Sequence, residues 1–240
     1  MTDIAQQTLA GIVTHDHRAA AVLEKYHLDF CCKGKRTLAD ACAEKGLSHG
    51  EVVTELESLN GGIDVRQMPF NEMTAEQLIS HIVTHHHFYV KETMPQIYAH
   101  LERVAFKHGE TFPEMVEVFR LFAAIRNEMT MHMQKEEMIL FPAIKKAEYA
   151  FINQEDLGSE TNIIRGAINV MEMEHDSAGD MMMKIQALTG NYEPPIGACM
   201  TFRISLAELK AFEEDLHRHV HLENNILFPM AKQFLNANSI

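Results

Sequence analysis

The chain has 240 residues, 46% of them hydrophobic and 23% charged, which is enough to bury a real core and lacks the bias of a disordered, collagen-like or disulfide-built protein. A formal charge of −13, from 34 acidic against 21 basic residues, opposes a phosphate backbone, and no basic stripe interleaved with aromatics offsets it, so nucleic acid is not an expected partner. No apolar stretch approaches the roughly 18 residues of a membrane span, the start lacks a charged leader followed by an apolar run, and four cysteines do not make a secreted framework, so a cytoplasmic protein without membrane contact is expected.

The first sixty residues carry short apolar clusters with no strand alternation, and Ser48 and Glu51 have the spacing of a capping box for a helix running toward Leu59. Within them Cys31 and Cys32 are adjacent, and Lys33, Lys35 and Arg36 beside them favour thiolate over thiol, giving nucleophilic, metal-binding sulfurs. Cys42 and Cys199 stand alone and read as small hydrophobes. Asn60-Gly61-Gly62 is the clearest breaker, which predicts a small helical domain over 1–62 and a boundary between about 60 and 72. Thr74 and Gln77 make a second capping box, after which 3.6-period apolar patterns predict helices over roughly 74–106, 113–150, 160–189 and 198–236. Short connections between long helices predict an all-α chain in which an antiparallel up-down four-helix bundle occupies 74–236.

Fifteen histidines and sixteen methionines are the abnormal counts, and histidine is the commonest metal ligand. His132 to Pro142 and His219 to Pro229 repeat the pattern H-x3-E-x2-I-L-F-P, and His87 and His175 lie 45 and 44 residues upstream of the two repeats. The bundle is therefore read as a duplicated helix pair, each half offering one histidine and then His-x3-Glu. A four-residue spacing puts His132 with Glu136, and His219 with Glu223, on one helix face. Ile125, Met129, Ile139 and Leu140 continue the first stripe and Phe212, Leu216, Ile226 and Leu227 the second, so the ligands are expected to point inward. Two carboxylates in a core facing four histidines need a cation. His85 or His86 could replace His87, with only the matched spacing favouring His87; the remaining histidines, His217 and His221 included, are expected on exposed faces or behind the metal ligands. Met171, Met173, Met181, Met182 and Met183 read as adaptable core packing.

Six nitrogen and oxygen ligands without thiolate suit two irons or manganese ions better than copper(I) or one zinc. If Glu136 and Glu223 bridge, each metal receives two carboxylate oxygens and two imidazoles, an oxo or hydroxo bridge adds a fifth ligand, and one position per metal stays open to water, dioxygen or nitric oxide.

The pattern His87, His132-x3-Glu136, His175, His219-x3-Glu223 resembles a hemerythrin-like domain. His-Met-x-Lys-Glu-Glu at 132–137, Glu-His-Asp at 174–176 with Ala178-Gly179, and His-Leu-Glu-Asn-Asn at 221–225 are similar to the di-iron iron-sulfur cluster repair proteins. The segment from Tyr26 through Asp29-Phe30-Cys31-Cys32 to Lys35, followed by Thr37-Leu38, resembles the small domain that precedes the bundle in that family. Oxygen-carrying hemerythrin uses more histidines, with one Glu and one Asp as bridges, which argues against plain dioxygen transport. The resemblance implies a stress-response protein with two non-haem irons per chain that acts on iron-sulfur proteins with damaged clusters, by supplying iron or handling nitric oxide. Cys31 and Cys32 are then expected to act in repair, apart from the metal ligands and across the breaker from them. Reduction of nitric oxide at the open metal positions, and dioxygen or redox sensing with the small domain as output, are the alternatives; association into a homodimer is left open.

Overall fold

The computed structural model describes residues 3–59, 70–158 and 160–237, so the Asn60-Gly61-Gly62 breaker lies outside the described residues. The N-terminal part holds four short helices, α1 (Leu9–His15), α2 (Ala19–Lys25), α3 (Leu38–Glu44) and α4 (His49–Ser58). Thr8 and Thr37 cap α1 and α3 by accepting the N–H of Gly11 and of Asp40. Ser48 precedes α4 without a side-chain hydrogen bond, so the capping box expected with Glu51 does not form. The loop between α2 and α3 is pinned to α1 by Ala10 N–H donating to Gly34 O at 2.9 Å. A Cβ at Gly34 would sit 2.1 Å from the Phe30 carbonyl oxygen, so only glycine fits there.

Four long rods follow. The first joins α5 (Ala75–His81) to α6 (Phe88–His108) through a π-helical stretch, Ile82–His87; the second joins α7 (Glu114–Lys135) to α8 (Phe141–Asn153) through Glu136–Leu140. The third is α9 (Glu160–Leu188), and the fourth joins α10 (Met200–Leu222) to α11 (Phe228–Ala237) through Glu223–Leu227. The capping box of Thr74 and Gln77 is present at the start of α5. α6 packs on α7 and α10, and α7 packs on α9, which closes an up-down bundle.

The π-stretches were not foreseen, and they alter the apolar stripe. Each adds a residue to the helical turn, and Pro142 and Pro229 follow two of them directly, withdrawing an N–H from the ladder where its pattern changes. Within Glu136–Leu140, Ile139 is turned outward and is 59% exposed while Leu140 is buried; within Glu223–Leu227, Ile226 and Leu227 both stay inside. The third-helix methionines also divide. Met171 and Met182 are core residues, whereas Met173 and Met183 face outward, correcting the expectation that all five fill the interior.

The core forms two apolar clusters. One gathers Val90, Leu101, Phe122, Ile185 and Phe212 together with Leu9, Leu23, Phe30 and Leu38 of the N-terminal helices. The other gathers Leu78, Phe141, Ile144, Ile168, Leu227 and Phe228. Along every rod the candidate ligands fall where one cluster gives way to the other, so a polar layer is flanked by hydrocarbon at both ends.

Candidate metal centre

His87, His132, Glu136, His175, His219 and Glu223 meet in that layer, each no more than 1% exposed. Two overlapping groups could each hold a cation, with one ligand atom per residue and all atoms within 4.8 Å: His87, Glu136, His219 and Glu223, and His132, Glu136, His175 and Glu223. Both carboxylates belong to both groups. Glu136 Oε2 lies 3.4 Å from His87 Nε2 and 3.3 Å from His132 Nε2. Glu223 Oε1 lies 3.0 Å from His219 Nε2, and its Oε2 lies 3.0 Å from His175 Nε2.

The residues fit a metal centre on four observations. Both oxygens of Glu136 and Oε2 of Glu223 are buried without a hydrogen bond, a cost of about 1–3 kcal/mol each unless a cation or proton compensates. The inward nitrogens are paired closely, His87 Nε2 with His219 Nε2 at 3.2 Å and His132 Nε2 with His175 Nε2 at 3.0 Å, so lone pairs converge on two points. Burial opposes charge on His132, but Glu136, Glu223 and Glu174 outweigh it and push it up to about 9. Burial likewise opposes charge on Glu223, yet His219 and His175 hold its carboxyl well below the usual range. The acidic pair thus calls for positive charge at its centre, and the donor set is imidazole and carboxylate without sulfur, as iron or manganese prefers.

The outer nitrogens carry a pattern that the sequence did not disclose. His87 Nδ1 faces Glu137 Oε1 at 2.7 Å, His132 Nδ1 faces Glu174 Oε2 at 2.8 Å and His175 Nδ1 faces Asn224 Oδ1 at 2.9 Å. Lys91 and Lys135 in turn donate to Glu137 and Glu174. Carboxylate-histidine-metal relays of this kind fix the ring and leave Nε2 as the ligating atom. The signal was present, since Glu137 and Glu174 stand beside ligands in the quoted motifs. What was missing was the knowledge that they reach across to a neighbouring helix.

Of the three consecutive histidines, only His87 reaches the centre. His85 is exposed and faces His81 O, and His86 is buried with Nδ1 at 2.9 Å from Asp215 while its ring stacks on His219. His221 takes the buried rather than the exposed of the two positions expected for it, with Nε2 3.4 Å from Thr14 Oγ1 and its ring against Phe30. Burial pushes this imidazole down to about 4.

Cys31 and Cys32 lie in the loop between α2 and α3, with their sulfurs 3.7 Å apart. Two expectations about them need correction. The hydrogen bond to Cys32, together with burial, pushes the Cys31 thiol well up, because the pair is set against Asp29 and the core, while Arg36 pairs with Glu44. Nor does the pair stand apart from the bundle. Asn225, two residues beyond Glu223, donates to Cys31 O at 3.1 Å, and Cys32 Sγ faces Gly179, one turn beyond His175, 3.7 Å from where a Cβ there would stand. Cys199 is not isolated either: it precedes α10 with Sγ 3.2 Å from His108 Nε2. Cys42 is a buried hydrophobe, as expected.

This fold and this layer of histidines and carboxylates define a hemerythrin-type cation-binding bundle. The family model described as the hemerythrin HHE cation binding domain matches residues 78–231, and a domain of unknown function matches residues 5–60. An iron-sulfur cluster repair protein from Yersinia pestis is 36% identical over 95% of this chain and 98% of its own length. A probable iron-sulfur cluster repair protein from Haemophilus influenzae is 34% identical over 94% of this chain and 96% of its own. The chain belongs to the hemerythrin-domain family of iron-sulfur cluster repair proteins. Among the described residues, no helix is long and apolar enough to cross a membrane.

Proposed function

We propose that the chain repairs iron-sulfur clusters damaged by nitrosative or oxidative stress, using two non-haem irons held by His87, His132, Glu136, His175, His219 and Glu223. The observation that carries this reading is the sharing of Glu136 and Glu223 between two four-residue groups, each completed by two histidines. Near-full-length relatives named for cluster repair favour this role over nitric oxide reduction or sensing. The clients are then iron-sulfur proteins with damaged clusters. We read the chain as two parts, a helical module over 1–62 with Cys31 and Cys32 and an iron-binding bundle over 74–236, and both cysteines are needed for repair.

When bound, the irons supply exchangeable positions for a small ligand and metal that can be handed on. The chain's own groups do the rest. Glu137, Glu174 and Asn224 hold the outer nitrogens so that Nε2 of His87, His132 and His175 faces inward. Phe141 stacks on His87 and Phe228 on His175, which excludes water from one side of the layer. Glu137 and Glu174 are about 30% exposed, so the proton on His87 Nδ1 and His132 Nδ1 is one hydrogen bond from solvent.

The test is restoration of a [4Fe-4S] dehydratase inactivated with nitric oxide. The iron-loaded chain should restore activity above an equal amount of free ferrous ion, and a Glu136→Gln chain that holds no iron should not. Equal restoration by both would overturn the proposal.

A further inference from the structure

We propose that Asp29, Cys31 and Cys32 form a third cation site, separate from the bundle centre and built for a single thiophilic divalent ion of the zinc or ferrous class. One ligand atom from each of the three lies within 4.8 Å of the others. The spacing matches the chemistry. Two thiolates on one tetrahedral ion, at about 2.3 Å each, are separated by about 3.8 Å, and the two sulfurs stand 3.7 Å apart. Asp29 Oδ1 lies 3.3 Å from Cys31 Sγ, which brings the Asp29 carboxylate within reach of the same ion.

The loop is set in that shape before any ion arrives. Asp29 Oδ1 accepts the N–H groups of Cys31, Cys32 and Lys33 at 3.1, 3.0 and 3.3 Å, which curls the backbone so that both thiols project to the same side. Asn225 clamps the Cys31 carbonyl from the bundle, and Gly34 locks the far end of the loop. A disulfide is the competing use of two close sulfurs, but neighbouring residues hold their Cα atoms about 3.8 Å apart, short of the roughly 4.4 Å minimum that an unstrained bridge requires. A shared cation needs no such separation.

Cys31 is buried and Cys32 half-buried, so an ion would enter from the Cys32 side. Three protein ligands leave a tetrahedral ion one open position, the pattern of an exchangeable site rather than of a closed structural one. Binding is a simple exchange: a divalent ion replaces two thiol protons, which go to solvent, and nothing is oxidised or reduced. The sulfur-rich set differs in softness from the imidazole and carboxylate set of the bundle, so each selects its own ion.

The full chain with its bundle iron in place is titrated with Co²⁺ under reducing conditions. We expect a thiolate-to-cobalt charge-transfer band that saturates at one equivalent per chain, with the visible spectrum of the bundle iron unchanged, and that Zn²⁺ or anaerobic Fe²⁺ then displaces. The band should vanish in the Cys31→Ser, Cys32→Ser double variant, and in Cys32→Ser alone, whose half-buried position tolerates serine; unchanged thermal midpoints verify folding. No band at stoichiometric cobalt, or a band of full strength in the double variant, overturns the proposal. Failure of the bundle reading is a separate outcome, because it appears as missing iron in the wild-type chain before any cobalt is added.

Discussion

Truncating Glu174 isolates what the outer carboxylates contribute to the centre. Glu174 touches one ligand, His132, whose Nδ1 it faces at 2.8 Å, and its own charge is balanced by Lys135. Glu174→Ala leaves that N–H to water and frees the ring to turn, and loss of such an outer partner typically weakens metal binding about 10–100-fold, or about 1.4–2.7 kcal/mol. The loss should fall on one of the two metal positions, because Glu174 backs only His132, whereas His87 is backed by Glu137 and His219 has no hydrogen bond at Nδ1 to lose. Glu174→Gln should lose much less, since an amide already performs the same task for His175, where Asn224 Oδ1 stands 2.9 Å from Nδ1. Iron per chain is measured after equilibration against a chelator of graded strength, with the visible spectrum recorded at each point. The wild type should release its iron in a curve of which one half moves by one to two decades in Glu174→Ala and scarcely moves in Glu174→Gln. An unmoved curve in Glu174→Ala, or equal displacement of both halves, refutes the reasoning.

Glu136→Gln and Glu223→Gln should each deplete both irons, whereas His132→Ala or His175→Ala should leave about one per chain by metal analysis; equal losses from all of them would remove the bridging argument. The Cys31→Ser, Cys32→Ser variant should keep the bundle iron and its spectrum while failing to restore a nitrosated cluster enzyme, and parallel loss of iron and activity would assign the cysteines to the bundle centre. Glu24 is pushed up to about 7 by burial under α10, with Arg218, Glu214, Glu213 and Lys210 around it and His217 Nδ1 at 4.0 Å. Its folded value lies above the ordinary 4.5, so the folded chain holds this proton more tightly and loses stability as pH rises from about 4.5 to about 7. Glu24→Gln should therefore gain in urea midpoint over the wild type at pH 8 and show little gain at pH 4.5; a gain independent of pH would place the effect elsewhere.

The bundle and the convergence of its candidate ligands were legible because two independent periodicities agree. Helical spacing puts His132 above Glu136, and the internal repeat shows that the same arrangement occurs twice, which chance pairing on a helix does not explain. The outward turn of Ile139 was illegible for a related reason: a period of 3.6 was assumed through Glu136–Leu140, where the backbone runs as a π-helix. Contacts between distant segments were equally beyond the pattern. Nothing local in Phe30 or His221 says that one ring packs on the other, and so the seating of the cysteine loop against Gly179 and Asn225 could only come from the folded chain.

The duplication also shows that the two candidate metal positions are not equivalent. In the repeat Glu137 corresponds to Asn224, and both support the upstream histidine of their own half, His87 and His175. By the same correspondence His86 answers to Glu174: the residue before each upstream histidine addresses the histidine of the other half's His-x3-Glu. Glu174 does so with a hydrogen bond to His132, while His86 stacks on His219 and turns its own Nδ1 to Asp215, leaving His219 Nδ1 buried without a partner. One metal position therefore has a carboxylate behind one histidine and nothing hydrogen-bonded behind the other, and the second has a carboxylate and an amide. A negative charge behind an imidazole raises its donor strength, and an unsupported imidazole is the weaker and more mobile ligand. If two irons are bound as proposed, the one facing His87 and His219 is held by the less constrained pair, and it should be the first that a graded chelator removes.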